Sequence, residues 1–396
     1  MYAVIITESQ KHDKSTLPFN RAYLIISILF LIKAQTSFAN EGANAPTALV
    51  PQIQALERLL KGYEKQLKKA HPQWSGTKYS FKKGDSDPVL RTVKKQLKDP
   101  SLSLSFDFDD DLEKAIIRFQ KQHFLKPDGV IGQATCRALN MTVSDRIRKI
   151  KLNLKRWQKL SPLLDGRCVL VNIPTYHLEA MEGTQSVLSQ EIIVGMKSRP
   201  TPLFSTTLTR LVINPAWYVP DSIFFKDKLK KVQEDPNYLT RNFYLVSDHN
   251  GELISPHTID WQQISSDYLP YRIRQLPGPH NALGRIKFYL ESAQAIYMHD
   301  TPQQELFQKS SRSFSSGCIR LSKPIDLALW VLDQTDLEST KRFQEKIDKG
   351  ETKTIGLPAA IPVYFTYITV WVDENDQALF SDDPYDLDEK DMKEKD

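Results

Sequence analysis

Two short segments hold the residues best suited to chemistry: Ile296-Tyr297-Met298-His299-Asp300-Thr301-Pro302 and Ser315-Ser316-Gly317-Cys318-Ile319-Arg320. A thiol becomes a strong nucleophile only as the thiolate, and a nearby imidazole can take its proton and stabilise the anion. Cys318 is therefore the candidate nucleophile and His299 its candidate base. Gly317 allows close backbone approach, so the N–H groups of Gly317 and Cys318 could aim at one oxyanion. Arg320 supplies a permanent charge for a substrate carboxylate or the developing oxyanion. Ser316 and Asp300 flank the pair as further candidate substrate contacts. Each piece also has a plain explanation: a lone cysteine is usually a small buried hydrophobe, and a histidine after a strand usually just forms surface hydrogen bonds.

The elements that must hold these residues are short strands. Val169–Ile173, Val187–Val194, Leu208–Asn214 and Ala295–His299 are rich in β-branched or aromatic residues, and Ile361–Val372 adds a long alternating run. They predict a predominantly β catalytic domain over 167–372. Between about 221 and 276 the texture changes: Phe224–Val232 reads as a charged helix and the remainder as polar loop. That stretch is an insertion. Trp261, Tyr268 and Tyr271 within it would either cover a bound substrate or pack a small core of their own. After Cys318, Ser322-Lys323-Pro324 opens a helix through Leu332, with proline near its first position, where a missing N–H costs nothing.

Upstream the pattern is helical. Ile53, Leu56, Leu60, Tyr63 and Leu67 recur at three- and four-residue steps and predict an amphipathic helix over Pro51–Ala70. Residues 84–142 read as a compact three-helix unit. Asp109 or Asp110 caps its second helix, Pro127-Asp128-Gly129 makes a turn, and Gln133–Leu139 forms the short third helix. Residues 143–166 continue as a helical linker.

Composition bounds the rest. The chain has 396 residues, 40% hydrophobic, with a formal net charge of +5, enough for two or three domains. From Asp373 to Asp396 there are eleven acids against three lysines, which predicts an acidic disordered tail over 373–396. The body is correspondingly basic, but its lysines and arginines lack the aromatic interleaving of nucleic-acid binders, so no nucleic-acid partner is expected. Residues 1–39 hold one apolar run, Ala22–Ile32, between Arg21 and Lys33. It is too short to span a bilayer comfortably and has the size of a signal-peptide core, with Ser37-Phe38-Ala39 as a cleavage site. Export to the periplasm is the expectation; an uncleaved anchor with inner-membrane association is the alternative. The three cysteines, Cys136, Cys168 and Cys318, are an odd number for an exported chain and leave at least one free thiol. With no CxxC or HExxH, and His249 and His257 too far apart for one helical turn, no metal is expected.

The stretch His299-Asp300 … Ser315-Ser316-Gly317-Cys318-Ile319-Arg320 resembles the signature of the YkuD-type L,D-transpeptidase catalytic domain. Further words are similar to its large YcbB-like branch: Asn153-Leu154-Lys155-Arg156-Trp157, Val171-Asn172-Ile173-Pro174, Asn214-Pro215-Ala216-Trp217-Tyr218-Val219-Pro220 and Asn281-Ala282-Leu283-Gly284-Arg285-Ile286-Lys287-Phe288. Phe119-Gln120, Asp128-Gly129-Val130-Ile131-Gly132, Thr135 and Ala138-Leu139-Asn140 resemble a type-1 peptidoglycan-binding domain. The likeness implies an α+β protein: a YkuD-type domain with a helical insertion acting as a lid, preceded by a three-helix peptidoglycan-binding domain. Residues 40–83 would be the remnant of a longer N-terminal scaffold.

The resemblance further implies that Cys318 is the nucleophile and His299 its base, with the imidazole oriented by the backbone carbonyl of Asp300. The implied partners are peptidoglycan tetrapeptide stems, with cell-wall synthases as candidate protein partners, and no cofactor is implied. Cys318 would take the third stem residue as a thioester, release D-Ala and pass the acyl group to another stem, giving a 3→3 cross-link. Hydrolysis of that thioester, attachment of a lipoprotein and a silent peptidoglycan-binding scaffold are the rival readings.

Overall fold

The computed structural model describes residues 51–67, 80–97, 99–164, 166–183, 185–235, 237–265, 268–292, 295–373 and 376–393. The predicted signal or anchor segment, 1–39, lies outside them. Helix α1 (Pro51–Gln66) buries Ile53, Ala55 and Leu56, the first turns of the predicted apolar stripe, while Leu67 stays exposed. Three helices follow: α2 (Pro88–Leu97), α3 (Asp110–Gln122) and α4 (Gln133–Leu139). Asp109 caps α3 by accepting from Leu112 N, a contact worth about 1 kcal/mol. Their shared core runs from Phe81 to Leu139 and includes Leu90, Val93, Leu112, Ile116 and Cys136. Gln120 ties the turn after α3 in place: its Nε2 donates to Val130 O and its Oε1 accepts from Gly129 N. Helix α5 (Val143–Leu160) opens with a reciprocal Thr142–Asp145 capping box and packs on α1.

The chain then becomes β. Strands β1 (Arg167–Asn172), β2 (His177–Glu182), β3 (Gln185–Gly195) and β4 (Ser205–Ile213) lead into the insertion. Strand β5 (Trp217–Tyr218) precedes the insertion, which carries β6 (Tyr244–Ser247), β7 (Leu253–Ile254) and β8 (Arg272–Gln275). The chain returns through β9 (Ile286–Leu290), β10 (Met298–His299), β11 (Ser313–Ser315) and β12 (Ile319–Leu321), and ends in β13 (Lys353–Thr366), β14 (Val370–Val372) and β15 (Ala378–Phe380). The main sheet has nine strands in the order β11-β3-β12-β10-β9-β4-β13-β1-β2, with β3 also pairing β2. One face buries Val169, Val171, Leu208, Leu211, Phe288, Met298, Ile319 and Val363.

Three expectations change. The insertion is helical only at its start, where α6 (Asp221–Ile223), a π-helical turn (Phe224–Lys228), α7 (Leu229–Glu234) and α8 (Tyr238–Arg241) follow one another. The stretch read as polar loop supplies three strands of a four-stranded antiparallel sheet, β5-β8-β6-β7, over a core of Trp217, Phe224, Val232, Leu239 and Trp261. Trp261 therefore packs this cap's own interior, while Tyr268 is exposed. Second, Ala295–His299 shortens to β10, because Ala295 takes φ +52°, outside the strand range.

The third change is the acidic tail. Its described part is ordered: β15 pairs with β14, and α11 (Leu387–Lys393) follows. Asp388 is buried and forms ion pairs with Lys149 at 3.1 Å and Arg156 at 2.5 Å. Asp388, which looks unpartnered in the sequence, is neutralised by basic residues of α5. Helix α9 (Pro324–Val331) and α10 (Leu337–Asp348) close the sheet's buried face.

Candidate active site

His299 ends β10 and Cys318 immediately precedes β12, its parallel neighbour, with Met298 opposite Ile319 and His299 opposite Arg320. Met298 and Ile319 point into the core. Strand alternation therefore sends Tyr297, His299, Cys318 and Arg320 to the other face together. On the far side of β10, Lys287 stands opposite His299 and reaches the Tyr297 ring at 3.9 Å. This floor opens into a cleft of about 360 Å3 lined by His299, Ser316, Cys318 and Arg320 together with the cap residues Asp227, Lys228 and Tyr244. A second cleft, of about 650 Å3, lies on the other side of Cys318 and Tyr297, lined by Lys287, Tyr289, Ser316, Tyr218 and Arg274. Cys318 thus stands where two clefts meet.

His299 Nδ1 lies 2.5 Å from the Asp300 carbonyl oxygen, the orientation that the resemblance implies. Burial, followed by the Arg320 and Lys287 charges, pushes its pKa down to about 3, against opposition from backbone bonds with Asp300 and Leu283. Burial thus favours the neutral imidazole. Burial also pushes the Cys318 thiol up, opposed by the Tyr297 backbone and hydroxyl and by Lys287 and Arg320. Burial thus favours the uncharged form of both groups.

Two assignments shift. Gly317 has φ +121°, which explains the glycine, but its N–H donates to Ser315 Oγ at 3.0 Å and is not available to an oxyanion. Ser315 Oγ in turn donates to Cys318 O at 2.6 Å, locking the turn. The Cys318 N–H has no partner among the described residues and is the remaining oxyanion donor on the turn. Asp300 leaves the substrate-contact set. Its carboxylate accepts from Arg285 N and Thr301 N, both at 2.7 Å, and borders a separate depression with Ile286 and Lys323. Gly284, at φ +60°, is required because a Cβ there would overlap the Asp300 carboxylate. Ser316 and Arg320 do line the cleft, and Arg320 is held by Gln303 Oε1 at 2.8 Å.

Tyr297 and Lys287 escaped the sequence reading. The period of two that puts Tyr297 on the face of His299 was legible; the pairing that brings in Lys287 was not. Among the described residues no group of three His, Cys, Asp or Glu side chains gathers as a metal site would require.

Residues 166–348 match the family model described as "L,D-transpeptidase catalytic domain", and residues 89–139 match a "Putative peptidoglycan binding domain". The chain carries a YkuD-type L,D-transpeptidase catalytic domain joined to a peptidoglycan-binding domain, an α+β architecture. It is 35% identical over 230 residues to a "Putative L,D-transpeptidase" of Haemophilus influenzae, an alignment that covers 58% of this chain and 46% of that protein. The chain therefore spans just under half the length of that relative. Among solved structures it is similar to an L,D-transpeptidase from Stackebrandtia nassauensis, at 14% identity over 75% of this chain and 97% of that one, with a TM-score of 0.26. It is also similar to one from Mycobacterium smegmatis, at 11% identity over 50% and 58% of the two chains, with a TM-score of 0.24.

Proposed function

We propose that this protein is a periplasmic, YcbB-like cysteine transpeptidase that forms 3→3 cross-links between peptidoglycan stems. The observation that carries the reading is the position of Cys318 between two clefts, one for an acyl donor and one for an acceptor. Cys318 Sγ passes its proton to the neutral His299 and attacks the carbonyl of the third residue of a tetrapeptide stem. The tetrahedral oxyanion is held by the Cys318 N–H and the Arg320 charge. Collapse breaks the amide bond, and His299 returns the proton to the departing D-Ala amine, leaving a thioester. The side-chain amine of a second stem's third residue then attacks the thioester, forming the new amide and restoring the thiol. No external energy source is consumed, because the thioester conserves the acyl-transfer potential of the broken amide.

Mass spectrometry of the products from purified protein and a disaccharide-tetrapeptide tests this. The expected result is a cross-linked dimer with loss of one D-Ala, absent in folded Cys318→Ala. Exclusive release of tripeptide would make the enzyme a carboxypeptidase, and no reaction at all would leave a binding scaffold.

A further inference from the structure

The loop between β3 and β4 touches the nucleophile turn on one side and the C-terminal segment on the other. Thr201 Oγ1 donates to Gly317 O at 2.7 Å and accepts from Gly195 N at 2.9 Å. Tyr385, two residues before α11 and within the segment that sequence alone marks as disordered, reaches the same loop. Its hydroxyl donates to Gly195 O at 2.6 Å and accepts from Thr201 N at 3.2 Å. Gly195 is thus held at both its N–H and its carbonyl, and it pairs with Ser315 of the turn.

The geometry at Gly317 gives these bonds a catalytic meaning. A trans peptide group is planar, with its C=O and N–H pointing in opposite directions. The peptide joining Gly317 to Cys318 has its oxygen on Thr201 Oγ1. Its other end is the Cys318 N–H, which is directed away from Thr201 and has no partner among the described residues. Fixing the oxygen therefore aims the N–H.

We propose that Thr201 and Tyr385 are positioning residues that aim the Cys318 N–H at the oxyanion, with Tyr385 acting through Thr201. Tyr385 is itself held without its hydroxyl. Its backbone N donates to Tyr367 Oη at 2.9 Å, and Tyr367 donates to Asp383 at 2.5 Å. Asp383 accepts from Leu387 N and Asp388 N at the start of α11, both at 2.9 Å. Removing the Tyr385 hydroxyl should leave the segment docked and loosen only the loop. The proposal rests on the transpeptidase reading for the existence of an acyl-transfer step.

Two reactions of the same thiol separate positioning from folding. A carbapenem acylates through a tetrahedral oxyanion, whereas iodoacetamide alkylates by direct displacement and needs no oxyanion donor. Loss of a whole oxyanion donor costs on the order of 100-fold or more, so a misaimed one in Tyr385→Phe should slow carbapenem acylation by roughly tenfold. Thr201→Val should slow it further and Thr201→Ser should restore it, with iodoacetamide rates unchanged throughout. Equal acylation in wild type and Tyr385→Phe would overturn the proposal. So would parallel loss of acylation and alkylation, which marks a merely structural role. A wild-type protein that the carbapenem does not acylate would remove it together with the transpeptidase reading.

Discussion

Arg199 and Asp227 join the β3–β4 loop to the π-helical turn of the cap by two hydrogen bonds, 2.8 and 3.1 Å long. Asp227 also lines the cleft that holds His299 and Cys318, so this half-buried pair fixes the cap beside Cys318. Asp227→Asn keeps the shape but removes the charge. The expected outcome is a looser cap: faster alkylation of Cys318 by a small reagent and, under the proposed function, a several-fold shift from cross-linked dimer toward hydrolysed tripeptide. Product ratios by mass spectrometry check this, and an unchanged ratio with unchanged alkylation would mean the pair does not restrain the cap.

Cys318 should be the single reactive thiol. Cys136 and Cys168 are buried in separate cores, and burial pushes each thiol up to about 11. Intact-mass spectra after carbapenem or iodoacetamide treatment of native protein should show one adduct, lost in Cys318→Ala. An adduct surviving that substitution would place the reactivity elsewhere.

The pH dependence of Cys318 follows from its raised pKa. Only thiolate reacts, so alkylation should climb continuously into the alkaline range, without the plateau near pH 5–7 that a preformed ion pair would give. His299→Ala should slow carbapenem acylation by about 10²–10⁴-fold, the usual worth of a general base. A flat alkylation profile across neutral pH would contradict the raised pKa of the Cys318 thiol.

Stability should depend on His123. Its ring stacks on Phe119 with centroids 3.9 Å apart, and burial pushes its pKa from 6.5 down to about 4. Because the folded value is the lower one, the unfolded chain takes up a proton first as pH falls through 6.5. Stability from this group is intact above that pH and declines between 6.5 and 4, by at most about 1.4 kcal/mol per pH unit. His299 adds to the same slope. Melting curves of His123→Gln against pH should show a shallower acid decline than wild type; an identical slope would rule His123 out as a source.

Cys318 and His299 stood out as candidates because each sits in a compact local word whose neighbours alternate as a strand. What escaped depends on partners distant in sequence. The cap's sheet uses strands as short as Trp217–Tyr218 and Leu253–Ile254, in which two residues cannot display a period. Nothing in the tail announces that Asp388 will meet Lys149 and Arg156, more than 230 residues upstream. The oxyanion assignment failed at Gly317 for a similar reason: the Ser315 hydroxyl that captures its N–H is visible as a serine but not as an acceptor aimed backward. Asp300 carried a carboxylate in the right word, and only the fold of Gly284–Arg285 against it revealed a structural task.

Strand β13 lies between β4 and β1, with Val363 opposite Val169 in parallel register and opposite Thr206 in antiparallel register. The sheet therefore cannot close until residues 353–366 arrive, nearly two hundred positions after β1. A chain emerging from its N-terminus can build the β1–β2–β3 meander early from near neighbours, but the inner edges of β1 and β4 stay open meanwhile. Such distant pairing slows folding, and open edges invite pairing with other chains. Refolding should accordingly be slow and become less productive as concentration rises, with thiol protection at Cys168, on β1, appearing late.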